Sequence, residues 1–259
     1  LTLQPGVQLS STFAGHYDLA IYLAMIVITL FVCQVNTRKT IIKLGVLLAT
    51  LCAVWLFMRA GSRIGLLGLG ISLLILSLSL KKLAWGLVYL TILLAMVFTS
   101  QNLLTRMGNL IKIIKPQTIN LIVPAYAQDR AVQADRSTSI RLDVEWPLAI
   151  RALYKNPILG TGYSSLGLAT DNDYLRAIGE TGLLGFSSFI LLLIAVAKRV
   201  FLSFKKSSGV LDKVVSSSSF GVFIFFMICA IFLDVFESSK IAILFWSFMG
   251  LSFSLKKTT

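Results

Sequence analysis

Five arginines and a short acidic run are the groups in this chain best equipped for chemistry. Arg59 and Arg63 stand four residues apart, on one face of a helix. Their spacing leaves two readings open. Both side chains could snorkel to lipid headgroups. Alternatively they form an anion site, because a guanidinium forks onto phosphate oxygens and keeps its charge at any relevant pH. Arg141, Arg151 and Arg176 follow in a polar stretch. Arg141 with Glu145, and Arg176 with Glu180, have the i,i+4 spacing of plain helix-surface pairs, so by themselves they decide little. The run Asp171-Asn172-Asp173 admits three roles. Asp or Asn caps a helix by accepting backbone N–H bonds. Two carboxylates spaced this way also hold metals. A single carboxylate can act as general base toward a sugar hydroxyl. Capping and catalysis are compatible, since each needs only one carboxylate. His16 is the sole histidine and precedes an apolar run, where interfacial packing suits it better than catalysis. Asp18, Asp234 and Glu237 fall near the ends of apolar runs, and a water-facing position accounts for them.

The composition says what must hold these groups. Of 259 residues 56 % are hydrophobic and 14 % charged, and the mean hydropathy is +0.85. A soluble domain of this size needs far less apolar surface and interrupts it with charge more often. The formal charge of +13 would suit nucleic acid. Here many Lys and Arg sit in short clusters between apolar runs, where they set membrane orientation, so no nucleic-acid partner is expected. Cys33, Cys52 and Cys229 all lie inside apolar runs, with no disulfide or metal-ligand spacing. The chain has no initiator Met, and residues 1–16 form no signal peptide. A longer protein with further helices before Leu1 is expected.

Seven apolar segments approach the roughly 20 residues that a helix needs to cross the hydrocarbon core. They are Tyr17–Gln34, Ile41–Met58, Ile64–Leu80, Leu83–Thr99, Gly182–Ala197, Ser219–Leu233 and Ile241–Leu255. The shorter ones call for tilt or local thinning of the bilayer. The expected fold class is therefore all-α, a polytopic membrane helix bundle. Residues 1–99 carry four transmembrane helices, 100–181 a large outer loop with short helices, and 182–259 the last three transmembrane helices.

Alternate connections hold the positive charge. Arg38, Lys39 and Lys43 follow the first span, Lys81 and Lys82 the third, Lys198 to Lys213 the fifth, and Lys256 with Lys257 the last. The opposite short connections hold only Arg59, Arg63 and Lys240. Positive-inside counting puts the loop outside the plasma (inner) membrane and the C-terminus in the cytoplasm. Within the loop, Leu103, Met107, Leu110, Ile111 and Ile114 recur at helical spacing, an amphipathic helix for the membrane interface. Tyr126 to Ser139 is polar. Ile140 to Tyr154 turns periodic again, and Asn156-Pro157 ends it. Gly160 and Gly162 predict a tight turn, and Asn172 to Glu180 a helical piece running into the fifth span.

These segments resemble the O-antigen ligase and O-antigen polymerase superfamily of membrane enzymes. STFAGHYDLAIYL (Ser11–Leu23) is similar to the family's segment leading into a span, and RAGSRIGLLGL (Arg59–Leu69) to the one opening the next outward-starting helix. The most specific stretch runs from Arg141 to Gly185: R-x4-W, then NPILGTG, then D-N-x-Y-L-x4-E-x-G-L-L-G. The family's ligases generally carry His where this chain has Asp171, which favours a polysaccharide polymerase or another glycan ligase over lipid A-type ligation.

The resemblance implies a glycan donor on a polyprenyl diphosphate, a glycan or lipid acceptor, the lipid bilayer as surroundings, and neither metal nor other cofactor. It implies that Arg63 and Arg141 bind the diphosphate and stabilise its charge as it leaves, with Arg59 and Arg151 as weaker candidates for that work. It also implies that Asp171 replaces the family's His as general base, or at least orients the acceptor hydroxyl. Arg176, Asn172 and Glu180 complete the substrate-binding set, with Glu180 and Asn172 supporting the loop. The competing class is a transporter or flippase component for an anionic lipid. That class predicts broken mid-membrane helices and repeated halves. The spans here are plain Leu/Ile/Val/Phe without mid-span Pro, and the polar residues gather in one loop.

Overall fold

A computed structural model describes residues 9–99, 140–167 and 170–254. The amphipathic segment Leu103–Ile114, the polar stretch Tyr126–Ser139 and Lys256 with Lys257 lie outside the described residues. Each of the seven apolar segments contributes a helix: α1 His16–Asn36, α2 Thr40–Ala60, α3 Arg63–Ser79, α4 Leu83–Thr99, α6 Asp173–Lys206, α7 Val210–Cys229 and α8 Ser239–Ser254. Between α4 and α6 the chain forms a π turn, Arg141–Glu145, continuous with helix α5, Trp146–Lys155.

Among the described residues α1, α2, α6 and α7 are long and apolar enough to cross a membrane, and the apolar α3, α4 and α8 are shorter. Much of their apolar surface is bare. Leu44, Leu48, Leu67, Leu78, Leu191 and Ile243 stand exposed on them. In water such a surface would drive aggregation, whereas lipid covers it. The sixth span starts earlier than the hydropathy predicts, at Val210 rather than Ser219, and ends at Cys229 rather than Leu233. Ser216 to Ser219 are polar yet buried between helices, so a hydropathy profile undercounts this turn.

Helix α1 is the hub, packed on α2, α3, α7 and α8, with Ile21, Ile28 and Phe31 sealed inside. Lipid offers no hydrophobic drive between helices, so close approach of small residues has to hold them. Gly221 of α7 supplies it. Its carbonyl accepts the Ser72 hydroxyl of α3 at 2.6 Å, and a Cβ there would sit 2.8 Å from both Ile28 and Leu76. Gly68 of α3 packs on Phe225 and Cys229 of α7 in the same way. The contacts fix the direction: Gly68 lies level with Cys229 and Ser72 with Gly221, so the start of α3 meets the end of α7. Arg63 is therefore at the same end of the bundle as the α7–α8 connection. At the other end Lys43 of α2 lies over the ring of Trp85 at the start of α4, 5.7 Å from its centroid.

The loop returns to the bundle through a knitted backbone. Helix α6 breaks at Gly182, whose φ of 63° and ψ of −167° are not helical. A broken helix leaves amides and carbonyls without partners. The NPILGTG segment supplies them. Leu183 and Leu184 donate N–H to the carbonyls of Pro157 and Ile158, at 2.8 and 3.2 Å, while Thr161 and Gly162 donate to those of Gly179 and Glu180, at 3.2 and 2.9 Å. Gly160, at φ 69°, passes so close that a Cβ would lie 2.3 Å from the Glu180 carbonyl oxygen. Gly160→Ala should therefore destabilise the protein by more than the roughly 1–3 kcal/mol of backbone strain. Gly162→Ala, with nothing within 4 Å of its Cβ, should lose the strain term alone. Thermal unfolding of the two variants in detergent measures the difference, and equal midpoints would refute the knitted-loop account.

Candidate functional site

The site forms where three pieces of chain meet: the π turn and α5, the return segment leading into α6, and the α7–α8 connection. Trp146 anchors the first piece against Phe232 of the third, ring centroids 6.3 Å apart. Gly179 of α6 holds α5 close, since a Cβ there would fall 2.9 Å from the Ala149 carbonyl oxygen.

Two acidic side chains then clamp the return segment onto the α7–α8 connection. Asp234 accepts the N–H of Thr170 at 3.1 Å and of Asn172 at 2.9 Å, one bond on each side of Asp171. Asp173 reaches the opposite way and accepts the N–H of Val235 at 2.8 Å and of Phe236 at 3.3 Å. Its own N–H bonds the Ala230 carbonyl at 3.0 Å. Held so, Asp171 adopts φ 47°, a left-handed backbone that Asp tolerates better than most residues and that marks constrained sites.

Asp171 is thereby turned onto Arg141. Its Oδ2 lies 2.8 Å from Nε and 2.6 Å from Nη2 of that guanidinium. The Arg141 side chain is 7 % exposed, against 29 % for Asp171. The expected i,i+4 partner of Arg141 has a different fate: Glu145 Oε2 is buried and, among the described residues, has no hydrogen-bond partner. Burial pushes the Glu145 carboxyl up to about 7, with the charges of Asp171 and Asp234 adding to the rise and Arg141 opposing it. Arg176 forms a second centre. Its guanidinium lies 3.4 Å from Glu180, 3.2 Å from Asp234 and 3.4 Å from Glu237. Tyr163, from the glycine turn, donates its hydroxyl to Glu237 at 3.1 Å.

The residues singled out in the sequence divide accordingly. Arg141, Asp171, Asn172, Arg176 and Glu180 come together in this assembly. The Asn172 side-chain oxygen Oδ1 caps α6 by accepting the Leu175 N–H at 2.9 Å, and Asn172 is buried. Arg63 opens α3 behind the Ser62 cap at the same end of the bundle. Arg59 is exposed and lies over the Trp55 ring, 5.6 Å from its centroid. Arg151 is exposed on α5. His16 lies against Tyr17, ring centroids 3.9 Å apart. The carboxylates of Asp171 and Asp173 serve different partners, and among the described residues no group of three His, Cys, Asp or Glu is placed to hold a metal.

Asp234 and Glu237, expected to face water, instead hold the return segment and Arg176. Glu145, expected on the surface with Arg141, has a buried oxygen without a hydrogen-bond partner among the described residues. Two acids closing an apolar run were the available signal for the first pair; Glu145 looked like half of a surface pair. Away from this assembly, an apolar groove of about 380 Å³ runs between α1 and α8, lined by Tyr22, Met25, Ile26, Leu244 and Phe248.

The family model described as O-antigen ligase matches residues 23–190, which runs from within α1 to the middle of α6 and takes in the whole Arg141–Asp171 pair. A comparison with curated proteins found no match.

Proposed function

The chain belongs to the O-antigen ligase family, and from that premise we propose that it is a polysaccharide polymerase or ligase of the cell envelope. It moves a glycan from a polyprenyl-diphosphate donor to a hydroxyl of a glycan or lipid acceptor. Family chemistry of this kind is glycosyl transfer in surface-polysaccharide assembly. In this reading the assembly of α5, the return segment and the α7–α8 connection faces the outside of the plasma membrane. The Lys and Arg clusters of the alternate connections support that orientation.

The observation that carries the reading is the buried Arg141 guanidinium, held by Asp171 in a segment that a membrane helix delivers. A diphosphate is already a good leaving group, and fixed cations in a low-dielectric site stabilise the charge that grows on it without a metal. Arg141 and Arg63 do this work. Asp171 holds Arg141 in place and orients the acceptor hydroxyl. Arg176, Glu180 and Asn172 fix the wall on which both substrates lie, while Arg59 and Arg151 meet phosphate or acceptor at the rim. The groove between α1 and α8 takes the isoprenoid tail; a photoreactive tail that labels neither Met25 nor Leu244 would remove that part of the assignment.

The test uses the full-length protein in nanodiscs with a polyprenyl-diphosphate oligosaccharide, comparing wild type with Arg63→Ala and Asp171→Asn. Release of polyprenyl diphosphate with a longer glycan, lost in Arg63→Ala, identifies a polymerase. Transfer to a lipid or a protein identifies a ligase. A wild type that moves no glycan but carries the donor across the bilayer overturns the reading in favour of transport.

A further inference from the structure

Two consecutive residues at the junction of the π turn and α5 hold buried polar atoms that no described residue satisfies. One is an acceptor, Glu145 Oε2, and the other a donor, Trp146 Nε1. Buried polar atoms in folded proteins nearly always find partners, and those that do not call for a ligand, a water or a chemical role. A sugar hydroxyl both donates and accepts, so it matches either atom. The backbone gives an independent sign. The turn Arg141–Glu145 is π-helical, a rare conformation that recurs at functional sites.

The neighbouring carboxylates are already engaged. Asp171 Oδ2 faces two nitrogens of Arg141, Asp173 holds two backbone amides, and Asp234 holds two more together with Arg176. An ion-paired carboxylate is a weak proton acceptor, because taking the proton means giving up the pair. Glu145 keeps an oxygen open, one helical turn after Arg141.

We propose that Glu145 is the proton acceptor of the transfer reaction, and that Asp171 is a positioning residue that holds Arg141. The inference rests on the glycan-transfer reading above. The acceptor hydroxyl oxygen attacks the anomeric carbon of the donor, forming the new C–O bond. The bond from that carbon to the diphosphate oxygen breaks, and its electron pair leaves on the diphosphate, where Arg141 and Arg63 meet the charge. The hydroxyl proton passes to the Glu145 carboxylate, and water then removes it.

Three charged groups act on Glu145: Arg141 from its own turn, Asp171 from the return segment and Asp234 from the α7–α8 connection. Burial, with the two acids adding to it, outweighs the arginine and raises the carboxyl to about 7. A base serves best when its pKa lies near the working pH. Only the ionised form accepts a proton, so transfer rises as pH rises through that value and levels off above it.

The experiment follows the pH dependence of transfer by the full-length protein in nanodiscs, with a polyprenyl-diphosphate oligosaccharide as donor. It compares wild type with Glu145→Gln, Glu145→Asp and Asp171→Asn. The expected wild-type profile rises through about 7. Glu145→Gln should keep donor binding and lose roughly 10²–10⁴-fold in rate, and its residual rate should lack the rise. Glu145→Asp should retain part of the rate with a displaced profile, while Asp171→Asn keeps a rise at a lower rate, moved to lower pH because one of the acids that lift the Glu145 carboxyl is gone. Should Glu145→Gln fail to bind donor, Glu145→Asp decides: a displaced rise supports the assignment and an undisplaced one overturns it. A Glu145→Gln protein that transfers at the wild-type rate, or keeps the wild-type rise, overturns the inference and leaves the glycan-transfer reading intact. A wild type inactive at every pH instead defeats the reading beneath it.

Discussion

Replacing Arg141 with alanine is expected to lower glycan transfer by at least about 10²–10³-fold, the scale lost when one preorganised electrostatic donor is removed from a transition state. Two properties put this residue ahead of the other arginines. Its side chain is 7 % exposed, so no mobile solvent substitutes for its charge. It is also aimed by a chain of contacts, from Asp234 through the Thr170 and Asn172 amides to Asp171 and on to the guanidinium. Arg141→Lys should recover only part of the loss, because an ammonium cannot fork onto two oxygens. The alanine variant also leaves Asp171 without its cation, which could depress stability as well as rate. Arg141→Ala with Asp171→Asn separates the two: it should restore the thermal midpoint toward wild type without restoring transfer. A single Arg141→Ala variant that polymerises or ligates at the wild-type rate would remove Arg141 from the mechanism.

The helices of this fold were readable because apolar length is a physical requirement of the bilayer, and each of the seven segments meets or approaches it. What failed at the margins was the equation of polar with exposed. Ser216 to Ser219 are buried in α7, so the helix begins well before hydropathy rises. The site was half legible. Arg141 and Asp171 were identifiable as chemical groups, and the turn at Gly160 and Gly162 follows from glycine alone. Their pairing was not, since thirty residues separate them and local spacing instead matched Arg141 with Glu145. Asp234 lies more than sixty residues from the amides it holds. A contact of that sequence separation leaves no periodic trace, and it is the antiparallel packing of α7 on α6, with the Tyr174 hydroxyl on the Met227 carbonyl at 3.2 Å, that brings the α7–α8 connection back to the start of α6.

Replacing Arg176 with leucine is expected to do to stability what Arg141→Ala does to rate. Three carboxylates converge on this guanidinium, and the Glu180 side chain is only 2 % exposed. Removing one partner of a buried ionic cluster leaves charge without compensation, at about 3–5 kcal/mol. The variant should therefore show a clear fall in thermal midpoint in detergent and poor yield. Location sets the size of the effect. Asp234 and Glu237 belong to the α7–α8 connection and Glu180 to α6, so repulsion among them pulls apart the two elements that position Asp171. Arg176→Lys should soften the loss, since it keeps the charge. Arg176→Leu with Glu180→Leu should recover part of it, because removing the most buried acid relieves the uncompensated charge, whereas a structural role confined to the arginine's own packing predicts no recovery. Arg176→Leu melting at the wild-type temperature would show that the carboxylates are held by their backbone bonds alone. The return segment would then owe its geometry to Asp234 and Asp173 rather than to the ionic centre between them.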